Sequence, residues 1–514
     1  MTGADILIKT ALACGIEICF ANAGTTEIPL VVALDRQPGI AAVLGLFEGV
    51  CTAAADGYGR MKNSPALALL HLGPGFANGI ANLHNARRAS SPVINLIGEH
   101  ATWHKAADPP LAMSIERLTS TVSAWERTAD SVETLSNDMA EAVRASRKGQ
   151  VASLIVPNDV QLAQIPEVKI HRLALSSQLP NRNLIDASAR VLREKGHRAA
   201  LLLGGPGLFG RGLEVAGSIS AATDCLLLSS RAGRVDRGAG LPLVQRIPYF
   251  SKIAIRELTS RIDTVVVVGS QDPVTFFGYP GIPSYIFGSD KEVVRPWKQG
   301  QDVIPVLEAL HDAVGGNRRK GTAVSGLSRP ELPGGRLTAE KACRVLAALQ
   351  PEGCIVVEEG ISSALAYYPL TEHLPYFSLL GVSGGATGYG LPCAVGAALA
   401  CPDRKVITLE ADGSALFTVQ ALWTQAQQGL DIVNLILSNR SYNSVKVELL
   451  RGGMNTAGPT SRALTEIDHP PIDWLSLAKG FGLHATAVET AGGMAAELKR
   501  SLSEKGPSLI EVRL

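Results

Sequence analysis

Two short stretches near the carboxy terminus hold the residue types best suited to chemistry. Leu409-Glu-Ala-Asp-Gly-Ser-Ala415 and, after a helix-sized gap, Leu435-Ile-Leu-Ser-Asn-Arg-Ser-Tyr442 each follow or close an apolar run, Val406-Ile-Thr-Leu409 and Ile432-Val-Asn-Leu-Ile-Leu437. Such runs read as buried strands, so Asp412 and Asn439 are expected at strand carboxyl ends, where open α/β sheets bind ligands. A carboxylate and an amide oxygen are hard ligands suited to Mg²⁺, an ion that shares its sphere with substrate phosphates instead of occupying an all-protein cage. Gly413 allows close backbone approach, and Ser414 is placed to cap a following helix whose amino end attracts phosphate. The pair reads as a metal-diphosphate clamp, although these residues alone fit an ordinary strand-turn-helix with an Asp cap equally well.

Positioning such a clamp needs a framework, and composition bounds it. A chain of 514 residues exceeds one core and suits about three domains. With 46% hydrophobic residues, 5% aromatic and 52 Gly, it reads as compact α/β with many tight turns. A net charge of +1 favours neither nucleic acid nor an anionic membrane surface. Eight cysteines form no CxxC pair and sit mostly in apolar runs, as buried thiols of a reducing compartment do. No signal pattern or membrane-length apolar run is present, so a cytoplasmic protein is expected.

Along the chain, an amphipathic helix (2–14) and a strand (16–20) lead to Ala21-Asn-Ala-Gly-Thr-Thr-Glu-Ile-Pro29, a glycine turn opening another helix. The strand 41–46 runs into Phe47-Glu-Gly-Val-Cys-Thr-Ala-Ala-Ala-Asp-Gly-Tyr-Gly-Arg60, a helical segment rich in small residues that must pack closely on a neighbour. Glu48 enters it between Phe47 and Val50 with no cation nearby in sequence, surroundings that desolvate a carboxyl group. On its own it reads equally as a first-turn Glu on a helix dipole. The strand 65–71 ends at His71 and the loop Leu72-Gly-Pro-Gly-Phe-Ala-Asn-Gly79, before a helix over 78–88. A connector (165–181) precedes a second domain over 183–315, whose Gly-rich strand ends at 199–206 and 263–270 lack a proper GxGxxG. A turn-rich basic linker (315–335) opens the third domain, 336–514, where Ser362 and Ser363 are expected to cap a helix.

The clamp resembles the fingerprint of thiamine diphosphate (ThDP) enzymes, a Gly-Asp-Gly followed at a set distance by Asn; here 25 residues, 414 to 438, separate Gly413 from Asn439. Ala411 and Ser438 depart from the usual Gly and Asn, at positions that are not metal ligands in the family. The resemblance implies Mg²⁺ (or Ca²⁺) held by Asp412, Asn439 and the backbone carbonyl of Ser441, with Tyr442 completing the motif. The segment around Glu48 resembles the family helix whose glutamate bonds the aminopyrimidine ring and promotes formation of the thiazolium ylid. Gly381-Val-Ser-Gly-Gly-Ala-Thr-Gly-Tyr-Gly-Leu-Pro392 resembles the loop beneath the thiazolium ring, with Gly385 placed to accept from the exocyclic amine. Thr387 stands where relatives carry a bulky apolar prop. His71 lies where benzoylformate decarboxylases carry an active-site His, and Thr25 where they carry a Ser. Gly73-Pro-Gly75 instead matches acetolactate synthases, and Phe276 and Phe277 stand near where a second catalytic His is carried.

Over nearly the whole chain, the resemblance is to the acetolactate synthase and benzoylformate decarboxylase group. It implies three doubly wound parallel-sheet α/β domains: pyrimidine-binding (1–165, with Glu48), middle (183–315) and diphosphate-binding (336–514). The implied activity is non-oxidative decarboxylation or carboligation of a small 2-oxo acid, in a homodimer or homotetramer with each site at a subunit interface. FAD is not expected, because the chain is short for flavin-containing members. The alternatives are a flavin-dependent oxidoreductase of pyruvate oxidase type and a non-catalytic scaffold, the latter suggested by Ala411, Ser438 and Thr387.

Overall fold

The computed structural model describes residues 1–166, 169–173, 178–315, 324–451, 453 and 458–514. Parts of the expected connector (165–181) and linker (315–335) lie outside the described residues. The fold is α/β with three parallel-sheet domains, and the chain divides into two compact units. One unit comprises Met1–Leu175, Pro330–Leu370 and Leu380–Leu514; the other comprises Ser176–Arg329 and Thr371–Leu379.

In the first unit the amino-terminal sheet has six strands, in the order Ala41–Leu44, Ile18–Asn22, Ala66–Leu70, Val93–Glu99, Val151–Pro157 and Trp125–Thr128, all paired parallel. The strands Ala66–Leu70, Val93–Glu99 and Val151–Pro157 are buried along their whole length, which is why they read as unbroken apolar runs and not as alternating ones. Strand order reverses between Ile18–Asn22 and Ala66–Leu70, so a switch point opens where Gly24–Glu27 and His71 leave the sheet. In the carboxy-terminal sheet the strands His484–Val488, Ser508–Arg513, Ile432–Ser438, Val406–Ala411 and Ile355–Glu359 lie side by side and parallel. Register pairs Ala411 with Leu437, so Asp412 and Asn439 leave neighbouring strands at the same edge.

The small-residue helix Glu48–Lys62 finds its neighbour in Gly390–Ala400. A Cβ on Gly57 would lie 2.2 Å from the Cys393 carbonyl oxygen, and one on Gly396 would lie 1.8 Å from that of Ala54. The two helices therefore meet backbone to backbone, and a methyl at either glycine would cost about 1–3 kcal/mol or more. Around this contact a single buried cluster draws Val50, Ala54 and Tyr58 together with Tyr389, Leu391 and Ala394.

The second unit carries a five-stranded parallel sheet, ordered Gln245–Arg246, Leu226–Ser229, Ala199–Leu203, Thr264–Val268 and Glu292–Val294. Its two Gly-rich strand ends close on each other: a Cβ on Gly204 would lie 2.1 Å from the Gly269 carbonyl oxygen. That contact accounts for Gly204 and Gly269, and the left-handed φ of +50° accounts for Gly205. Phe277 is about half exposed and sits edge-on to both Phe276 and Tyr279 within this unit.

Two expected elements differ from the structure. The helix after His71 spans Leu72–Ala89, so Leu72–Gly79 is its opening and not a separate loop; Gly75 N–H already bonds the His71 carbonyl. Ser414 lies inside the four-residue helix Asp412–Ala415, whose N-cap is Ala411, and Ser362 and Ser363 lie in the 3-10 turn Ile361–Ala364, so none of these serines serves as a cap. All eight cysteines are free, and seven of them are buried. Among the described residues no helix is long and apolar enough to cross a membrane.

Candidate functional site

At the carboxy-terminal end the geometry is set by backbone donors. Asp412 is buried; its Oδ1 accepts from the Gly413 N–H at 2.9 Å and its Oδ2 from the Arg440 N–H at 2.7 Å. Arg440 has φ +54°, in the left-handed region, and this sharp turn after Asn439 is what brings its N–H back to the carboxylate. Asn439 accepts from the Ser441 N–H at 2.9 Å through Oδ1 and donates from Nδ2 to Ser363 Oγ at 3.1 Å. Tyr442 packs its ring against Gly413, where a Cβ would lie 2.7 Å from the ring edge, and its N–H bonds the Thr465 carbonyl.

Burial pushes the Asp412 carboxyl above its ordinary range, and the two backbone N–H bonds pull it only part of the way back. A divalent cation would supply the missing countercharge. Among the described residues no cluster of three or more His, Cys, Asp or Glu could hold a metal by itself. One carboxylate, one amide and a carbonyl at Ser441 instead make the partial donor set of an ion that takes its remaining ligands from phosphate oxygens and water. The residues present therefore fit Mg²⁺ bound together with a diphosphate.

The loop 381–390 lies in the same unit. Gly385 (φ +79°) and Gly388 (φ +88°) take left-handed turns that only glycine adopts at low cost. Gly385 is exposed and Thr387 half-buried. Glu359, at the end of its strand, accepts from the N–H groups of Gly388 (2.9 Å), Tyr389 (2.7 Å) and Gly390 (2.6 Å). Burial nevertheless pushes its carboxyl up to about 7, and burial together with the charge of Glu359 raises neighbouring Glu410 well above the usual carboxylate range.

The amino-terminal end is held by side chains. Glu48, buried at the first turn of its helix, accepts from Asn78 Nδ2 at 3.0 Å through Oε2. A Cβ on Gly75 would lie 3.1 Å from Glu48 Oε1 and 3.2 Å from His71 Cβ, so the acid and the root of the His71 side chain approach one glycine from the same side, while the imidazole ring packs on Gly24. His71 Nδ1 is 2.7 Å from Glu27 Oε2, and Glu27 is fully buried. Glu27 also accepts from the Gly24 N–H at 2.9 Å and from Thr26 Oγ1 at 2.6 Å. Room for its carboxylate comes from Gly98, where a Cβ would lie 1.8 Å from Oε1. Thr25 is exposed on the turn Thr25–Glu27; the hydroxyl beside His71 is that of Thr26, at 3.3 Å.

Sequence reasoning missed Glu27, Thr26 and Asn78. A signal for Glu27 was present, since Gly24-Thr-Thr-Glu27 has the spacing of a capping box and the structure forms its carboxylate-to-N-cap bond. Nothing local points to Asn78, whose partner is 30 residues away.

Comparison with known proteins gives concordant results. The family described as "Thiamine pyrophosphate enzyme, N-terminal TPP binding domain" matches residues 1–116, and its C-terminal TPP binding domain matches residues 362–512. A Mycobacterium tuberculosis protein named as an acetolactate synthase large subunit, IlvX, is 41% identical over 100% of this chain and 99% of its own. A benzoylformate decarboxylase of Pseudomonas aeruginosa is 27% identical over 97% and 96% of the two chains. Among solved structures, a ThDP-dependent 4-hydroxybenzoylformate decarboxylase of Rhodococcus jostii RHA1 superimposes with a TM-score of 0.86 at 23% identity, covering 100% and 99% of the two chains, which shows the shared fold.

Proposed function

Because this chain belongs to the thiamine diphosphate (thiamine pyrophosphate) enzyme family, we propose that it is a Mg²⁺-dependent, non-oxidative decarboxylase of small 2-oxo acids that can also act as a carboligase. Residues 1–165 serve as the pyrimidine-binding domain and 336–514 as the diphosphate-binding domain. The enzyme works in the cytoplasm as a homodimer or homotetramer, each site completed at a subunit interface. When bound, ThDP supplies the electron sink that lets a 2-oxo acid lose carbon dioxide.

The chain's own residues do the rest. Asp412 and Asn439 with the Ser441 carbonyl would hold the ion, Gly413 and Ser414 would meet the diphosphate, and Tyr442 closes over Gly413. The Gly385 carbonyl would accept from the aminopyrimidine, and Thr387 would contribute a methyl contact to the cofactor. Glu48 holds and returns a proton at the pyrimidine ring nitrogen through Oε1, its Oε2 being occupied by Asn78. His71 moves a proton at the reacting carbon, oriented from behind by Glu27.

The observation that carries this reading is that Glu48 and the Glu27-backed His71 side chain both approach the same side of Gly75. A fixed proton donor favours protonation of the decarboxylated fragment, so an aldehyde is the expected main product and a 2-hydroxy ketone or acetohydroxy acid the minor one. The test is to incubate purified protein with ThDP, Mg²⁺ and a panel of aliphatic and aromatic 2-oxo acids, scoring carbon dioxide, aldehyde and coupled product. Carbon dioxide with aldehyde in excess supports the reading; carbon dioxide released only in the presence of an added flavin, or none from any acid, overturns it.

A further inference from the structure

The loop carrying Gly385 and Thr387 is held from the amino-terminal half by two buried amides on the helix Leu72–Ala89. Asn85 bonds both backbone groups of one residue, and so the two peptide units that meet at Ala386: Nδ2 donates to the Ala386 carbonyl at 2.8 Å, and Oδ1 accepts from the Ala386 N–H at 3.1 Å. Its Nδ2 also donates to Asn82 Oδ1 at 3.0 Å. Asn82 Nδ2 in turn donates to the Gly388 carbonyl at 3.1 Å and to the Gly49 carbonyl at 3.0 Å. Asn82 is 2% exposed and Asn85 fully buried, and the donors and acceptors of both amides are used. Gly384 leaves the space for this contact, since a Cβ there would lie 2.7 Å from Asn85 Oδ1. The bonds run without a break from the peptide next to Gly385 to the first turn of the Glu48 helix.

We propose that Asn82 and Asn85 are positioning residues for the cofactor site, a two-amide latch that sets the loop bearing Gly385 and Thr387 by anchoring it to the first turn of the same chain's helix Glu48–Lys62. The proposal rests on the ThDP reading above and assigns these residues no contact with cofactor or substrate. Packing alone would not need them: aliphatic side chains would fill the same volume without fixing the two peptide planes that meet at Ala386. The Ala386 N–H and the Gly385 carbonyl lie in the same peptide plane, so the bond from that N–H to the buried Asn85 amide also fixes the orientation of the 385 carbonyl. Asp would supply only the acceptor and would face the Ala386 and Gly388 carbonyls with negative charge.

The test compares wild type with Asn85→Ala, using Asn95→Ala, a buried amide that bonds Ser153 in the strand Val93–Glu99, as the control for loss of a buried amide elsewhere. Apoprotein is titrated with ThDP at saturating Mg²⁺, amide hydrogen exchange is followed at Ala386, and kcat and KM are measured. In Asn85→Ala the Ala386 amide exchanges at least about tenfold faster, ThDP binds about tenfold more weakly, and kcat falls with little change in substrate KM. Asn95→Ala shifts the melting midpoint by a similar amount without these changes. Should Asn85→Ala fail to fold, Asn82→Ala, which keeps the Ala386 pair and removes the bonds to Gly49 and Gly388, carries the same expectations for affinity and kcat. Affinity and kcat within twofold of wild type in a folded variant, or losses that merely follow the melting midpoint across all variants, overturn the latch. Wild type that takes up no ThDP overturns the ThDP reading instead, and the Ala386 exchange then decides the latch by itself.

Discussion

The two ends of the site are built in opposite ways. At the clamp, Asp412 and Asn439 accept from the backbone N–H groups of Gly413, Arg440 and Ser441, so the geometry follows from two adjacent parallel strands and one left-handed turn. At the acid end, Glu48 depends on Asn78, 30 residues away, and His71 depends on Glu27, 44 residues away. A backbone-held group keeps its place when its neighbours change. A side-chain-held group is only as well placed as one partner, so residues that never touch substrate should matter more at the acid end.

The sharpest way to break this contrast is Glu48→Gln. It removes the proton and nothing from the clamp, so turnover should fall by about 10³-fold or more while ThDP affinity stays within a few-fold, measured by steady-state kinetics and calorimetry on the same protein. Undiminished rates would contradict the role given to Glu48. Next, Glu27→Gln keeps the bulk and loses the charge behind His71. A drop in kcat of about 10–100-fold is expected, with aldehyde falling further than coupled product; product ratios unaffected by the change would mean that His71 needs no orienting partner.

The smallest effect concerns stability. Burial lifts Glu359 from an ordinary value near 4.5 to about 7 against three backbone N–H donors. Between those two values the folded state holds a proton that the unfolded chain has lost. Stability from this group is therefore complete below pH 4.5 and is lost as pH rises through 7, an effect on the order of 3 kcal/mol at most. The unfolding midpoint of the apoprotein should fall between about pH 5 and pH 8, and less steeply in Glu359→Gln. A midpoint rising over that range in wild type would show that other groups dominate.

The same contrast explains what could be read from the chain alone. The three-sheet α/β plan was legible because fully buried parallel strands leave unbroken apolar runs, and the clamp because its parts sit on two such runs at a fixed spacing. Close packing of the small-residue segment 47–60 was legible without its partner, which is the helix carrying Gly396, and Gly73-Pro-Gly75, read as a loop, opens a helix beside Glu48. At the acid end the limit is the 3-10 turn, where one step decides that Thr26 meets His71 while Thr25 stands exposed beside it. Asn78, Asn82 and Asn85 lie on one helix face, yet their partners at 48, 49, 386 and 388 become neighbours only through the tertiary fold.

The central claim is that Asp412 and Asn439 hold a divalent ion that in turn holds the diphosphate of ThDP. Calorimetric titration of the apoprotein with ThDP, with and without Mg²⁺, in wild type and in Asp412→Ala, tests it directly. Binding that needs the ion in wild type and is weakened about 100-fold or more in Asp412→Ala is the predicted result. Binding of equal strength without any divalent ion, or unaffected by the loss of Asp412, would contradict it.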